Sequence, residues 1–176
     1  MSLEDIKKLR EKTSLGVNDC KQALKEAEGD FNKALKVLRA KGADVLKKKG
    51  SRTASQGVIE SYVHFGGNIG VLVEVNCETD FVARTDLFKK FAKDIAMHIA
   101  AIAPDYISQE QVPQDVSEQV KDKQEYCKKN CLLNQPFVKD STMTVADYLK
   151  KIVSQTGENI KIERFVRFVV GEEDEG

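Results

Sequence analysis

The apolar residues of this chain repeat with two different periods, and the change between them constrains the fold more than any other feature. Through the first part, Leu3, Ile6 and Leu9 recur at helical spacing behind Ser2. Cys20, Ala23, Leu24 and Ala27 repeat it in a segment that begins near Asn18, and Phe31, Ala34, Leu35 and Leu38 follow an Asp30 suited to capping. Breaks at Thr13-Ser14-Leu15-Gly16, at Gly29 and at Gly42 divide these into three helices, a bundle near the lower size limit for independent folding. From Val58 the period is two. Ile59, Ser61, Val63 and Phe65 alternate with Val58, Glu60, Tyr62 and His64, then Gly66-Gly67-Asn68 turns the chain, and Ile69 to Val75 returns it as a β-hairpin. The glycines of that turn lack the following helix and the Lys-Ser/Thr of a phosphate-binding loop. Lys47 to Gly57, between the two regimes, has neither apolar periodicity nor proline and reads as a linker.

Further along, Asp86 is placed to cap a helix in which Leu87, Phe88, Phe91, Ile95, Ile99 and Ile102 repeat before Pro104, long enough to cover one face of a sheet. His98 on this helix is expected at the core edge or in solvent. Residues 105–131 are polar and lysine-rich, with Pro113 suited to a helix start and Val116, Val120 and Cys127 as a thin stripe. Thr144 is expected to cap a helix carrying Val145, Tyr148, Leu149 and Ile152, closed by Gly157. The last strand runs from Ile160 to Val170, with Ile160, Ile162, Val166, Phe168 and Val170 on one face and Phe165 and Val169 beside Lys161, Glu163 and Arg167 on the other. The reading is an α+β chain: a three-helix module over 1–46, a linker over 47–57, a core over 58–170 built on a three-stranded antiparallel sheet packed with helices, and an acidic tail over 171–176. Phe165 and Val169 leave the second face of that sheet with apolar surface to cover.

Composition narrows the class. No apolar run approaches the ~18 residues of a membrane span, and no signal or transit segment opens the chain, so a cytoplasmic protein is expected. The 28 basic and 28 acidic residues balance, but residues 1–50 hold 13 basic against 8 acidic, which leaves the N-terminal part at +5 and the rest at −5. A basic part of that kind suits an acidic partner or RNA as well as it suits solvated helix faces. Cys20, Cys77, Cys127 and Cys131 form no C-x-x-C pair and lie far in sequence from His64 and His98, so they read as buried or free thiols and not as zinc ligands. No nucleophile elbow, acid pair or redox motif is present.

The most unusual string is Glu74-Val-Asn-Cys-Glu-Thr-Asp-Phe-Val-Ala-Arg84, where the strand ends and a short connection begins. Taken by physics alone, Asp80 caps a turn of helix and Phe81 closes over the core as a hydrophobic staple. The competing reading is an aromatic presented from a surface connection, where binding residues concentrate. The string resembles a signature of the elongation factor Ts family. So do Leu9-Arg-Glu-Lys-Thr-Ser-Leu-Gly-Val-Asn-Asp-Cys-Lys-Gln-Ala-Leu24 and Leu132-Leu-Asn-Gln-Pro-Phe-Val-Lys-Asp140, in the family's order. Ser14 stands where many members have glycine, Asn18 replaces part of an apolar pair, and only 18 residues separate Pro113 from Leu132 where members carry a longer excursion.

The resemblance implies an N-terminal bundle of the ubiquitin-associated type and a guanine-nucleotide exchange factor for elongation factor Tu, with no bond chemistry and no cofactor. Asp80, Phe81, Val82 and Ala83 would displace Mg2+ from the GTPase, while Lys12, Val17, Thr79 and Arg84 would contact it. It further implies that the chain binds no nucleotide itself. Long members hold two core units, so this single-core chain is expected to pair as a homodimer. The alternative is an RNA- or ribosome-binding module in residues 1–57, which is short of aromatics because Phe31 is the only one there.

Overall fold

The computed structural model describes residues 2–13, 16–38, 50 and 52–172, which form two compact units. Met1–Thr53 groups with Lys150–Asn159, and Ala54–Leu149 groups with Ile160–Gly176. In the first unit, α1 (Leu3–Thr13) starts where the Ser2 hydroxyl accepts from the Glu4 amide at 3.1 Å. Helix α2 (Val17–Glu26) follows Gly16, one residue earlier than its spacing suggested. It ends in a turn where the Gly29 amide reaches back to the Leu24 carbonyl. Asp30 then caps α3 (residues 31–38) through bonds from the Asn32 and Lys33 amides. Ile6, Leu9, Cys20, Ala23, Leu24, Ala27, Ala34 and Leu38 close into one buried cluster, with Phe31 and Leu35 packed against it, as the spacing predicts. The expected stop at Gly42, Ser14 and Leu15 of the first junction, the lysine run 47–49 and residues 173–176 of the acidic tail lie outside the described residues.

In the second unit, β1 (Gln56–Val63) and β2 (Ile69–Cys77) form the predicted hairpin, turned by two glycines at positive φ, Gly66 and Gly67. The strand begins at Gln56, inside the segment read as linker. Gly57 lies so close to β2 that a Cβ there would collide with the Val75 carbonyl. The last strand, β5 (Ile160–Val169), pairs antiparallel with β2, which makes β2 the central strand in the order β1-β2-β5. Between them β2 leads into α4 (Asp80–Ala83) and α5 (Asp86–Ile102), and α5 packs on β1 and β2. Val71, Val73, Val75, Cys77, Ile160 and Ile162 on the sheet and Phe88, Phe91, Ile95 and Ile99 on the helix are buried. Leu87 and Ile102 flank this face and stay partly exposed.

The β5 faces differ from the simple alternation. Arg164 pairs with Glu74, but Val75 pairs with Ile162, so Glu163 is an extra residue in a β-bulge. One inserted residue reverses the side-chain phase. Ile160 and Ile162 therefore face the core, Phe165 and Val169 join that face, and Val166 and Phe168 turn outward. The uncovered apolar residues of the second face are thus Val166 and Phe168, not Phe165 and Val169.

The connection between α5 and β5 holds α6 (Gln114–Gln119), which starts after Pro113, α7 (Lys123–Asn130), and a two-stranded sheet of β3 (Pro136–Phe137) and β4 (Asp140–Thr144) that the sequence reading did not contain. Helix α8 (Val145–Thr156) opens as expected on Thr144, whose hydroxyl accepts from the Asp147 amide while Asp147 accepts from the Thr144 amide. Among the described residues no helix is long and apolar enough to cross a membrane.

Candidate functional site

The turn after β2 is built by three side-chain tethers. Cys77, fully buried at the strand end, donates its thiol to the Thr79 carbonyl at 3.1 Å. Thr79 is extended and its hydroxyl accepts from the Val82 amide, so Thr79 caps the single turn α4, in place of the cap expected from Asp80. Thr85 closes the other side: its hydroxyl donates to the Val82 carbonyl at 2.8 Å and accepts from the Phe88 amide, which also makes Thr85, not Asp86, the cap of α5. Asp80 instead pairs with Arg84 at 2.8 Å across the turn.

With the backbone so held, the side chains divide. Ala83 is buried and Val82 half-buried, whereas Phe81 is 78% exposed. A hydrophobic staple would bury that ring, so the staple reading fails and the aromatic is presented to solvent. Thr79, Asp80, Phe81, Val82, Ala83 and Arg84 share this one turn. Lys12 and Val17 belong to the helical unit: Val17 is the first residue of α2 and 41% exposed, and the Lys12 ammonium lies 5.6 Å from the centre of the Phe31 ring, a cation–π contact. Phe31 is partly buried against the helical core and already holds the Lys12 cation, which limits its use for stacking a base.

Other polar groups singled out by sequence lie in the interior. His98 is fully buried on α5, between Gln135 and the Val138 amide, and not at the edge. One turn before it sits Asp94, which spacing alone did not pick out. Burial pushes its carboxyl up, but bonds from Lys139 (2.6 Å), Lys90 (2.7 Å) and Tyr148 (2.9 Å) outweigh burial and hold it below the usual carboxylate range. The signal available in sequence was an acid among apolar helix positions, with Lys90 four residues on the other side of a turn. All four cysteines are buried and none is in a disulfide. Burial, with a hydrogen bond to Cys127, pushes Cys131 up to about 12, so it is a protonated thiol at neutral pH. Among the described residues no group of three His, Cys, Asp or Glu side chains is placed to hold a metal ion.

The comparisons with known proteins bear on the chain as a whole. The family model described as elongation factor TS matches residues 4–125 and 122–172. Elongation factor Ts of Carboxydothermus hydrogenoformans is 48% identical over 190 aligned positions, covering 95% of this chain and 88% of that protein. Those of Caldanaerobacter subterraneus subsp. tengcongensis and Thermotoga neapolitana are 46% and 45% identical, with 98% of each chain covered. The alignments span more positions than the 176 residues present here, so these relatives carry residues that this chain lacks. With a family model along nearly its whole length and relatives of this identity, the chain belongs to the elongation factor Ts family.

Proposed function

We propose that the chain is a guanine-nucleotide exchange factor for elongation factor Tu, acting through the turn that carries Asp80, Phe81, Val82 and Ala83. Family membership makes it a factor of translation elongation. The exchange reading is finer, and the exposed Phe81 ring carries it. A ring on a turn tethered at Cys77, Thr79 and Thr85 loses little freedom when it inserts into a partner, so most of its burial is kept as binding energy. Inserted beside the nucleotide site, it would shift the GTPase elements that hold Mg2+. Without its cation the diphosphate loses charge compensation and leaves. Thr79, Arg84, Lys12 and Val17 supply further contacts to the GTPase. No bond is made or broken, no cofactor is required, and the chain holds no nucleotide. Linkage then demands that GDP weaken the complex by the same factor by which the complex weakens GDP.

The test pairs two measurements on Phe81→Ala: thermal melting of the free chain, and stopped-flow release of a fluorescent GDP from elongation factor Tu. Loss of an aromatic anchor costs ~2 kcal/mol or more, about 30-fold in rate, with the melt unchanged. A melt lowered by ~3–5 kcal/mol, as for a core aromatic, or release as fast as with the wild type, would overturn the reading.

We infer also that the chain works in the cytoplasm as a homodimer. The support is the outer sheet face, where Ile59, Val63, Leu72, Val166 and Phe168 are 40–69% exposed around a shallow hollow bordered by the Glu74–Arg164 ion pair. Exposed apolar side chains around a hollow with a balanced ion pair suit a two-fold contact. Light scattering should give twice the chain mass; a concentration-independent 19.7 kDa would refute it.

A further inference from the structure

His98 is used by neither the exchange reading nor the dimer, yet both of its ring nitrogens are hydrogen-bonded in the interior of the core unit. Its ring is completely buried on α5 and lies against the Phe137 ring at 6.0 Å between centroids. Nδ1 accepts the Val138 amide at 3.1 Å, so it carries no proton. Nε2 lies 2.9 Å from Oε1 of Gln135, whose amide nitrogen donates to the Lys129 carbonyl at 2.6 Å. That second bond fixes which end of the amide is the acceptor, so Nε2 must be the donor. Only one of the three protonation forms of imidazole, neutral with the proton on Nε2, satisfies every partner.

A second proton has no place. It would set an N–H of the ring against the Val138 N–H, in a site without water access. The charged and titratable groups around the ring do not offset it. On α5 itself the carboxylate is Asp94, accompanied by Lys90; the hairpin supplies Lys139; α8 supplies Tyr148. All three of those partners bond to Asp94, Lys139 at Oδ1 and Lys90 and Tyr148 at Oδ2, which commits the carboxylate to them. From the end of α7, Lys129 contributes its backbone carbonyl, which Gln135 occupies.

We propose that His98 is a proton-operated latch: in its neutral form it holds Gln135–Val138 against α5, and uptake of a proton at Nδ1 releases the β3–β4 hairpin while the three-stranded sheet stays folded. Burial, opposed only by the Gln135 bond, moves the His98 pKa below its ordinary 6.5, the direction the geometry requires. A folded-state value below the unfolded one means that the latch contributes its full stabilisation above pH 6.5 and loses it as pH falls through the folded value. Over that interval the open population rises by at most ~10-fold per pH unit.

The chain has two histidines, so ring-nitrogen NMR of the whole protein reads His98 directly beside the exposed His64. Expected is the Nε2–H tautomer of His98 at pH 7.5. Hydrogen exchange from pH 7.5 to 5.5, corrected for its intrinsic pH dependence, should show amides of residues 135–144 opening increasingly below pH 6.5, by at most about tenfold per unit for a single proton, while those of β2 do not. In His98→Gln, which cannot titrate, that pH dependence should vanish. An Nδ1–H tautomer, hairpin amides that open together with β2, or a pH dependence that survives in His98→Gln would each overturn the latch. Should His98→Gln fail to fold, the tautomer and the exchange profile of the wild type decide alone.

Discussion

On β2, Val73 is fully buried while its neighbour Leu72 is 45% exposed, and the same division runs across the whole sheet. The inner face is closed by α5. The outer face also carries large apolar residues, Ile59, Val63, Leu72, Val166 and Phe168, beside the Glu74–Arg164 ion pair, yet nothing in the chain's described residues covers it. Valine and isoleucine occur on both faces with unequal burial, so residue type alone does not choose a core: the covering helix does, and apolar surface left bare awaits a partner.

The sharpest way to break the comparison is to insert one alanine between Arg164 and Phe165. The part of β5 beyond the insertion then shifts by one, sending Val166 and Phe168 inward and Phe165 and Val169 outward against the register held by Ile160 and Ile162. We expect no stably folded core, seen as the loss of a cooperative melt. A folded insertion variant would mean that the outer face was never distinguished by register. Next in size is the neighbouring pair on β2. Val73→Ala should cost ~2 kcal/mol through lost burial and a residual cavity, read by urea unfolding. Leu72→Ala should leave monomer stability within ~0.5 kcal/mol but, together with Phe168→Ala, weaken the dimer at least ~10-fold in sedimentation. Equal losses from Val73→Ala and Leu72→Ala would erase the distinction between the faces.

Much of this was legible in the residues. The change of period separated bundle from sheet because helix and strand bury at different spacings, and Asp30 and Thr144 announced their helices by capping chemistry. The missed features share a cause. The bulge at Glu163 is invisible to alternation because β5 is apolar on both faces, so either phase fits the pattern. Thr79 and Thr85 lost the caps to the adjacent acids in a reading that preferred Asp, although all four residues can cap. The buried state of His98 depends on Gln135, 37 residues away, a partnership no local pattern reports. For the signature turn, local physics favoured burying Phe81. The tethers at Cys77 and Thr85, which hold its backbone so that the ring points outward, come from outside the turn itself.

The smallest expected effect tests whether the outer face is covered in solution. The Glu74 carboxyl is held below its ordinary range by the Arg164 guanidinium first and the Asn76 amide second, across the edge of the outer hollow. A carboxyl with a lowered folded-state pKa adds stability above its unfolded value near 4.5 and loses it as pH falls through the folded value. Glu74→Gln should therefore lower the melting temperature slightly at pH 7, and the gap from wild type should close as pH falls through the folded value. On a bare face that gap is screened by salt and independent of protein concentration, as for any exposed pair. On a face buried against a second copy, removing Glu74 leaves Arg164 desolvated without its partner, so the gap should resist salt and grow as concentration drives pairing. A gap that ignores concentration and disappears in salt, with the mass still that of a dimer, would place the contact between copies away from this face.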